Sequence, residues 1–199
     1  MAQTAEEYMK MAEKAYNIGD FADAIEYYDK AIELKPQNKL AWGEKAGIYS
    51  ELERFQEALE CFEKALEFDE YDTELLYGKA IALTRLGQYE DGLGVFDTVL
   101  VIMPDHENAW TGKGLALAEL GRWDEALEYA EKGIEVHPHI TNAWFLKAIA
   151  LESFERYEEA IECYEKMLEL DPGNNDAMEG IKELRALLSG EREGHLGYH

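Results

Sequence analysis

The side chains best suited to nucleophilic, redox or metal chemistry are few here: two cysteines and five histidines. His106, His137 and His139 lie in candidate turns, and His195 and His199 lie near the C-terminus. The His137-Pro138-His139 run would hold a metal only weakly, because the sequence fixes no cysteine or carboxylate beside it. Gly92-Leu93-Gly94 and Gly112-Lys113-Gly114 have the look of phosphate loops, but neither follows a strand and both fall inside predicted helices. The acidic run DPGNND at 171–176 lacks the alternating oxygen ligands of a calcium loop. Cys61 and Cys163 could act as nucleophiles only beside a base, and no nucleophile–base pair is specified anywhere. The residues therefore predict a non-enzyme, with no catalytic residue, no metal and no cofactor.

Composition narrows the partners. Forty-three Asp and Glu against 19 Lys and Arg give a net charge of −24, a field that repels phosphate backbones and argues against nucleic acid. The same field speeds encounter with a basic partner. Hydrophobic residues at 47% are enough for a continuous core. No apolar run is long enough to span a membrane, and MAQTAEEYMK has no basic stretch followed by an apolar one. A cytoplasmic location without membrane insertion is the expectation.

The elements that would position a site emerge from rare residues. Pro36, Pro104, Pro138 and Pro172 are separated by 68, 34 and 34 residues, and Trp42, Trp110 and Trp144 repeat the 68 and 34. A period of 34 marks stacked helix–turn–helix units. Cutting the chain at that period gives repeats 5–38, 39–72, 73–106, 107–140 and 141–174. The eighth position is Ala12, Ala46, Ala80, Gly114 and Ala148, and the twentieth is Ala24, Ala58, Gly92, Ala126 and Ala160. Small residues at both places let the two helices of a hairpin approach closely. The seventeenth is aromatic throughout (Phe21, Phe55, Tyr89, Trp123, Tyr157). The twenty-first and twenty-eighth are aliphatic throughout, so one stripe at helical spacing runs along each second helix.

These positions resemble the tetratricopeptide repeat family over residues 5–174. The resemblance implies an all-α, right-handed helical-hairpin solenoid, five repeats followed by a capping helix at about 176–189, in a single domain spanning 1–189. Residues 190–199 are expected to form a flexible tail. The family's proline at the thirty-second position is Glu70 in repeat 2, and its aliphatic seventh position is Met11 and then Lys45, Lys79, Lys113 and Lys147. Such a lysine can lie along the core edge and carry its ammonium to an acidic neighbour. Thr4 and Glu7 form a capping box for the first helix. The last helix turns Met178, Ile181, Leu184 and Leu188 to one face. Cys61 and Cys163 share position 23 with three units between them, too far apart for a disulfide, and read as small buried hydrophobes.

In the family, first helices line a concave groove that receives a peptide or a partner helix. Carried over, the groove is glycine and acid in repeats 1 and 2 (Gly43, Gly47, Glu13, Glu44, Glu51). In repeats 3 to 5 it is Tyr77, Ile81, Arg85, Leu115, Phe145 and Ile149, with Asn108 and Asn142 available to a ligand backbone. The expected partner is a protein or peptide, basic or apolar. The lysine–asparagine clamp by which some members hold acidic tails would fall on Met9, Glu13, Glu44, Glu74 and Gly78, and none fits.

On the second helices, positions 22, 26 and 29 read Glu-Lys-Glu in repeats 1, 2, 4 and 5. Repeat 3 has Gly94, Thr98 and Val101 there, followed by Met103. This convex patch is the candidate contact for a weak homodimer or other self-assembly.

Overall fold

The computed structural model describes residues 3–190. Beyond Gly190, the expected flexible tail lies outside the described residues. Among the described residues there are eleven helices and no strand, the all-α hairpin class that the 34-residue period predicts. None of these helices is long and apolar enough to cross a membrane.

The chain divides into two compact units. The first, ending at Pro104, holds α1 (Ala5–Asn17), α2 (Phe21–Leu34), α3 (Lys39–Glu51), α4 (Phe55–Leu66), α5 (Thr73–Arg85) and α6 (Tyr89–Ile102). They pair as the hairpins α1/α2, α3/α4 and α5/α6, and α2 packs on α3 as α4 packs on α5. The second unit holds α7 (Ala109–Glu119), α8 (Trp123–Val136), α9 (Thr141–Ser153), α10 (Tyr157–Leu170) and α11 (Asn175–Leu188). Here the hairpins are α7/α8 and α9/α10, α8 packs on α9, and α11 packs on α10.

Local signals explain these bounds. The Thr4 hydroxyl accepts from the Glu7 amide while the Glu7 carboxylate accepts from the Thr4 amide, so the expected capping box is present. Asn38, Asp72 and Asn174 cap α3, α5 and α11 by accepting the amides of Ala41, Leu75 and Ala177. Every second helix opens on the seventeenth-position aromatic. Just before it, the fifteenth residue takes positive φ in all five hairpins: Gly19, Glu53, Gly87, Gly121 and Glu155. The following amide reaches back five residues, as Asp20 does to the Ala15 carbonyl and Arg122 to that of Leu117. This left-handed closure satisfies the orphan carbonyls at each first-helix end and turns the chain back.

Small residues sit where the helices touch. Ala12, Ala46, Ala80 and Ala148 at the eighth position, and Ala24, Ala58, Ala126 and Ala160 at the twentieth, have no exposed surface. Around them the aliphatic stripe of each second helix is buried or half-buried. Cys61 and Cys163 are buried as free thiols. In the last helix the buried stripe is Ala177, Ile181 and Leu184, packed with Tyr164 and Met167. Met178 and Leu188, expected on that stripe, stay exposed. Gly180 sets the rotation: a Cβ there would stand 2.7 Å from the Tyr164 ring, so the helix rests on that ring through its glycine.

The position-seven lysines link successive hairpins. Lys45 reaches Asp29 at 2.5 Å, Lys79 reaches Glu63 at 2.9 Å and Lys147 reaches Glu131 at 3.0 Å. In each case the carboxylate sits at position 25 of the preceding hairpin. The lysine's own side chain is the better buried of the two, 12% exposed for Lys45, with its stem on the core edge and its charge delivered outward.

Candidate binding faces

In the first unit, α5 brings Tyr77, Ile81 and Arg85 together. Tyr77 is mostly buried, its ring edge-on to Phe96 at 6.0 Å, and that burial pushes its hydroxyl pKa upward. Ile81 is half-buried. Arg85 is exposed and lays its guanidinium 5.4 Å from the centre of the Phe55 ring, a cation–π contact. In the second unit, Leu115 stands 36% exposed on α7. Phe145 and Ile149 are half-buried on α9, Phe145 with its ring 6.4 Å from that of Tyr164. Asn142 is exposed in the first turn of α9, and Asn108 is half-buried at the N-cap of α7, where its side chain makes no capping bond. Packing within the hairpins thus consumes part of each aromatic and leaves part in solvent.

A further concavity lies elsewhere. A cavity of 770 Å³ opens against α1, α2 and α3, the stretch that the sequence marks as glycine and acid. Met9, Tyr16, Leu40, Glu13, Glu44 and Tyr28 line it. Beside it, 340 Å³ opens over Gly43 and Gly47, where the missing side chains leave room above Phe62 and Leu75.

Tyr28 is the residue that the repeat pattern hides. It occupies position 24, shared with Phe62, Phe96, Ala130 and Tyr164, and so reads as core. It is 3% exposed. Its counterpart Tyr164 donates its hydroxyl to Glu152 at 2.7 Å. In the first hairpin the position of Glu152 is held by Tyr16, whose own hydroxyl donates to Glu51. Among the described residues the Tyr28 hydroxyl has no hydrogen-bond partner. Its pKa is pushed up to about 12, first by burial and then by the charges of Glu44 and Glu13. Glu44 is itself pushed upward, by partial burial and then by Glu13. Glu13 and Glu44 thus set a local negative field at Tyr28, in a cavity that Lys10 and Lys35 also line.

On the opposite face of α6, Val101 is 81% exposed, with Ile102 at 40% and Met103 at 37%. Gly94 and Thr98 are exposed, and the Thr98 hydroxyl donates to the Gly94 carbonyl. The other second helices carry ion pairs there: Lys30–Glu26, Lys64–Glu67, Lys132–Glu128 and Lys166–Glu169.

The two thiols and His137 sit in different environments. Burial raises the thiol pKa of Cys61 and of Cys163 to about 11, far from the thiolate that reactivity requires. The His137 ring pairs its Nε2 with the Asp105 carbonyl at 2.8 Å. Gly92 and Gly94 lie within α6, and Gly112 and Gly114 within α7, so neither run forms a loop that could cradle phosphate.

The tetratricopeptide repeat family model matches residues 9–74, 47–107, 77–135 and 111–175. No curated protein matches the sequence. Among solved structures, YrrB, described as a TPR protein with an unusual peptide-binding site, is 26% identical with a TM-score of 0.69, covering 89% of this chain and 92% of its own. MamA is 24% identical with a TM-score of 0.75, covering 86% and 94%. A tetratricopeptide repeat protein from Parabacteroides merdae is 24% identical with a TM-score of 0.80, covering 96% and 75%.

Proposed function

Because this chain belongs to the tetratricopeptide repeat family, we propose that it is an interaction scaffold that holds a segment of another protein against the first-helix faces of its hairpins. The observation that carries this reading is the unfinished burial of apolar side chains on those helices, Ile81 on α5 in the first unit and Leu115 on α7 and Ile149 on α9 in the second; the first unit also opens a cavity against α1 and α3. Exposed apolar surface rimmed by charge is characteristic of interaction sites. The peptide-binding site in the description of YrrB supports the same reading. One short segment on such a face buries modest area, which corresponds to an affinity of about −8 kcal/mol, the micromolar range.

Affinity capture from native lysate tests it. Ile81→Ser, Leu115→Ser and Ile149→Ser combined should lose the proteins that the unaltered chain retains, with helicity by circular dichroism unchanged. Retention of the same proteins by the triple variant would remove the reading.

A second reading, self-association through α6, is favoured by Val101, which projects an apolar side chain where the other hairpins carry ion pairs. Light scattering should then show mass rising with concentration, and Val101→Glu should abolish the rise. A constant monomer mass in both would dispose of it.

A further inference from the structure

We propose that the cavity between α1, α2 and α3 receives a lysine or arginine side chain of the bound segment, held at its charged end by Glu13, Glu44 and the Tyr28 hydroxyl. This rests on the interaction-scaffold reading and gives the partner a chemistry: a basic peptide.

Two independent observations meet here. The first is the arrangement of charge. Glu13 and Glu44 come from successive first helices, and each is close enough to act on Tyr28. Lys10 and Lys35 also line the cavity, exposed as Glu13 and Glu44 are, but the charges that shift Tyr28 and Glu44 are those of the glutamates. The second is Tyr28 itself, a side chain only 3% exposed whose hydroxyl oxygen opens onto the cavity, where no described residue satisfies it. The ring is fixed in the core and only its oxygen meets the cavity, so a ligand donor that enters there exchanges for water at a preset position. The Tyr28 oxygen offers lone pairs, and the flanking carboxylates accept as well. The two carboxylates favour a positively charged donor, and the phenol oxygen accepts from the same group.

The walls fit the rest of such a side chain. Met9, Leu40 and the ring of Tyr16 line the cavity above the carboxylates. Lysine and arginine carry long methylene stems that pack on apolar surface while the head seeks a partner. An acidic side chain meets repulsion at the floor, and an aliphatic one leaves the Tyr28 hydroxyl unsatisfied. At 770 Å³ the space lies within the range of a true ligand pocket and admits backbone on either side of the inserted residue. The overall charge of −24 would draw any basic peptide towards the surface, so the assignment turns on position and not on net charge.

Fluorescence anisotropy on the full chain decides it. The probes are an acetylated, amidated peptide alternating lysine and alanine, its arginine version, its acetyl-lysine version and its glutamate version. The lysine and arginine peptides should bind and the other two should not. Glu44→Gln should weaken binding about tenfold, the loss of one charge-assisted hydrogen bond. Tyr28→Phe, which keeps the ring and removes only the hydroxyl, should weaken it about threefold or more. Glu33→Gln, on the exposed face of α2, changes net charge equally and should do almost nothing. Equal weakening by Glu33→Gln and Glu44→Gln, or equal binding of the acetyl-lysine peptide, would overturn the proposal. If an apolar helical peptide binds while the basic peptides fail, the cavity assignment falls and the scaffold reading stands. Failure of every peptide sinks both.

Discussion

The indole Nε1 of Trp144 donates to the carbonyl of Pro138 at 2.9 Å, and Trp42 makes the same bond to Pro36 at 3.1 Å. The bond fastens the turn leaving one hairpin to the first helix of the next. It explains why proline and tryptophan, four of each in the chain, share a period. Where repeat 2 has Glu70 in place of proline, the next hairpin has Leu76 in place of tryptophan, so both halves of the clasp are missing together. Trp144→Phe should keep the half-buried ring and lose the bond, lowering the unfolding free energy in urea by about 1 kcal/mol. No change would mean that water replaces the indole at no cost.

The fifteenth position makes a prediction of the opposite sign. Glu53 and Glu155 adopt φ of 56° and 59°, a conformation that the other hairpins give to glycine. Left-handed backbone costs a side-chain-bearing residue roughly 1–2 kcal/mol, and glycine returns part of that through unfolded-chain entropy. Both glutamates are exposed. Glu53→Gly and Glu155→Gly should each stabilise by about 0.5–1 kcal/mol in chemical denaturation. A loss of stability at both sites would mean that the carboxylates contribute more than the backbone strain removes.

Two glycines two residues apart on α6, and so on different faces of the helix, should respond in opposite directions. A Cβ on Gly94 meets nothing within 4 Å, so Gly94→Ala should stabilise by about 1 kcal/mol through helix propensity alone. A Cβ on Gly92 would stand 2.8 Å from Thr84 Oγ1 and 3.2 Å from the Ala80 carbonyl oxygen, itself fixed in α5. Gly92→Ala should therefore destabilise by roughly 1–3 kcal/mol, the usual cost of overpacking. Thermal melts of the two variants compare them directly.

This contrast shows what the sequence could and could not reveal. The period, the hairpin pairing and the small contacts at Ala12 or Ala24 were legible because each recurs at a fixed spacing and obeys one steric rule. Gly92 and Gly94 were both legible as weak helix formers, but only coordinates tell the one that touches Thr84 from the one that faces water. The candidate site was less legible. Tyr77, Ile81 and Phe145 were found as apolar exceptions on first helices, whereas Tyr28 was hidden because position 24 is aromatic in most repeats. Its distinction depends on a second residue: Tyr16 stands where the last hairpin has Glu152, and a missing partner leaves no mark in a repeat pattern.

Acid should loosen the first unit through Asp72. Burial alone would raise its pKa, but the hydrogen bond from Lys39, the Leu75 amide and the Lys39 charge outweigh that and hold it below the ordinary value. A carboxyl depressed in the folded state contributes stability above its unfolded pKa, near 3.9, and loses that contribution as pH falls through the lower folded value. Asp72→Asn keeps the capping acceptor for Leu75 and removes the titration. The variant should be less stable than the unaltered chain at about neutral pH, with the difference shrinking below about pH 4. Urea unfolding along a pH series measures the gap, and a gap independent of pH would exclude Asp72 as its source.

The inter-hairpin lysines should differ among themselves by burial. All three pairs have the same register, yet Lys45 is 12% exposed, Lys79 24% and Lys147 26%, while the carboxylates Asp29, Glu63 and Glu131 are about half exposed. Solvent screens a pair in proportion to its access, so an exposed ion pair is worth about 0.2–1 kcal/mol and a better shielded one more. Double-mutant cycles with lysine to methionine and the carboxylate to its amide keep the stem on the core edge and remove only charge. The coupling should be largest for Lys45–Asp29 and smallest for Lys147–Glu131, and added salt should reduce the second by the greater fraction. Equal couplings would show that the carboxylate ends, which all face water, decide the energy. The lysine would then sit at position seven for the packing of its methylenes, and methionine, already present there as Met11, would serve every hairpin as well.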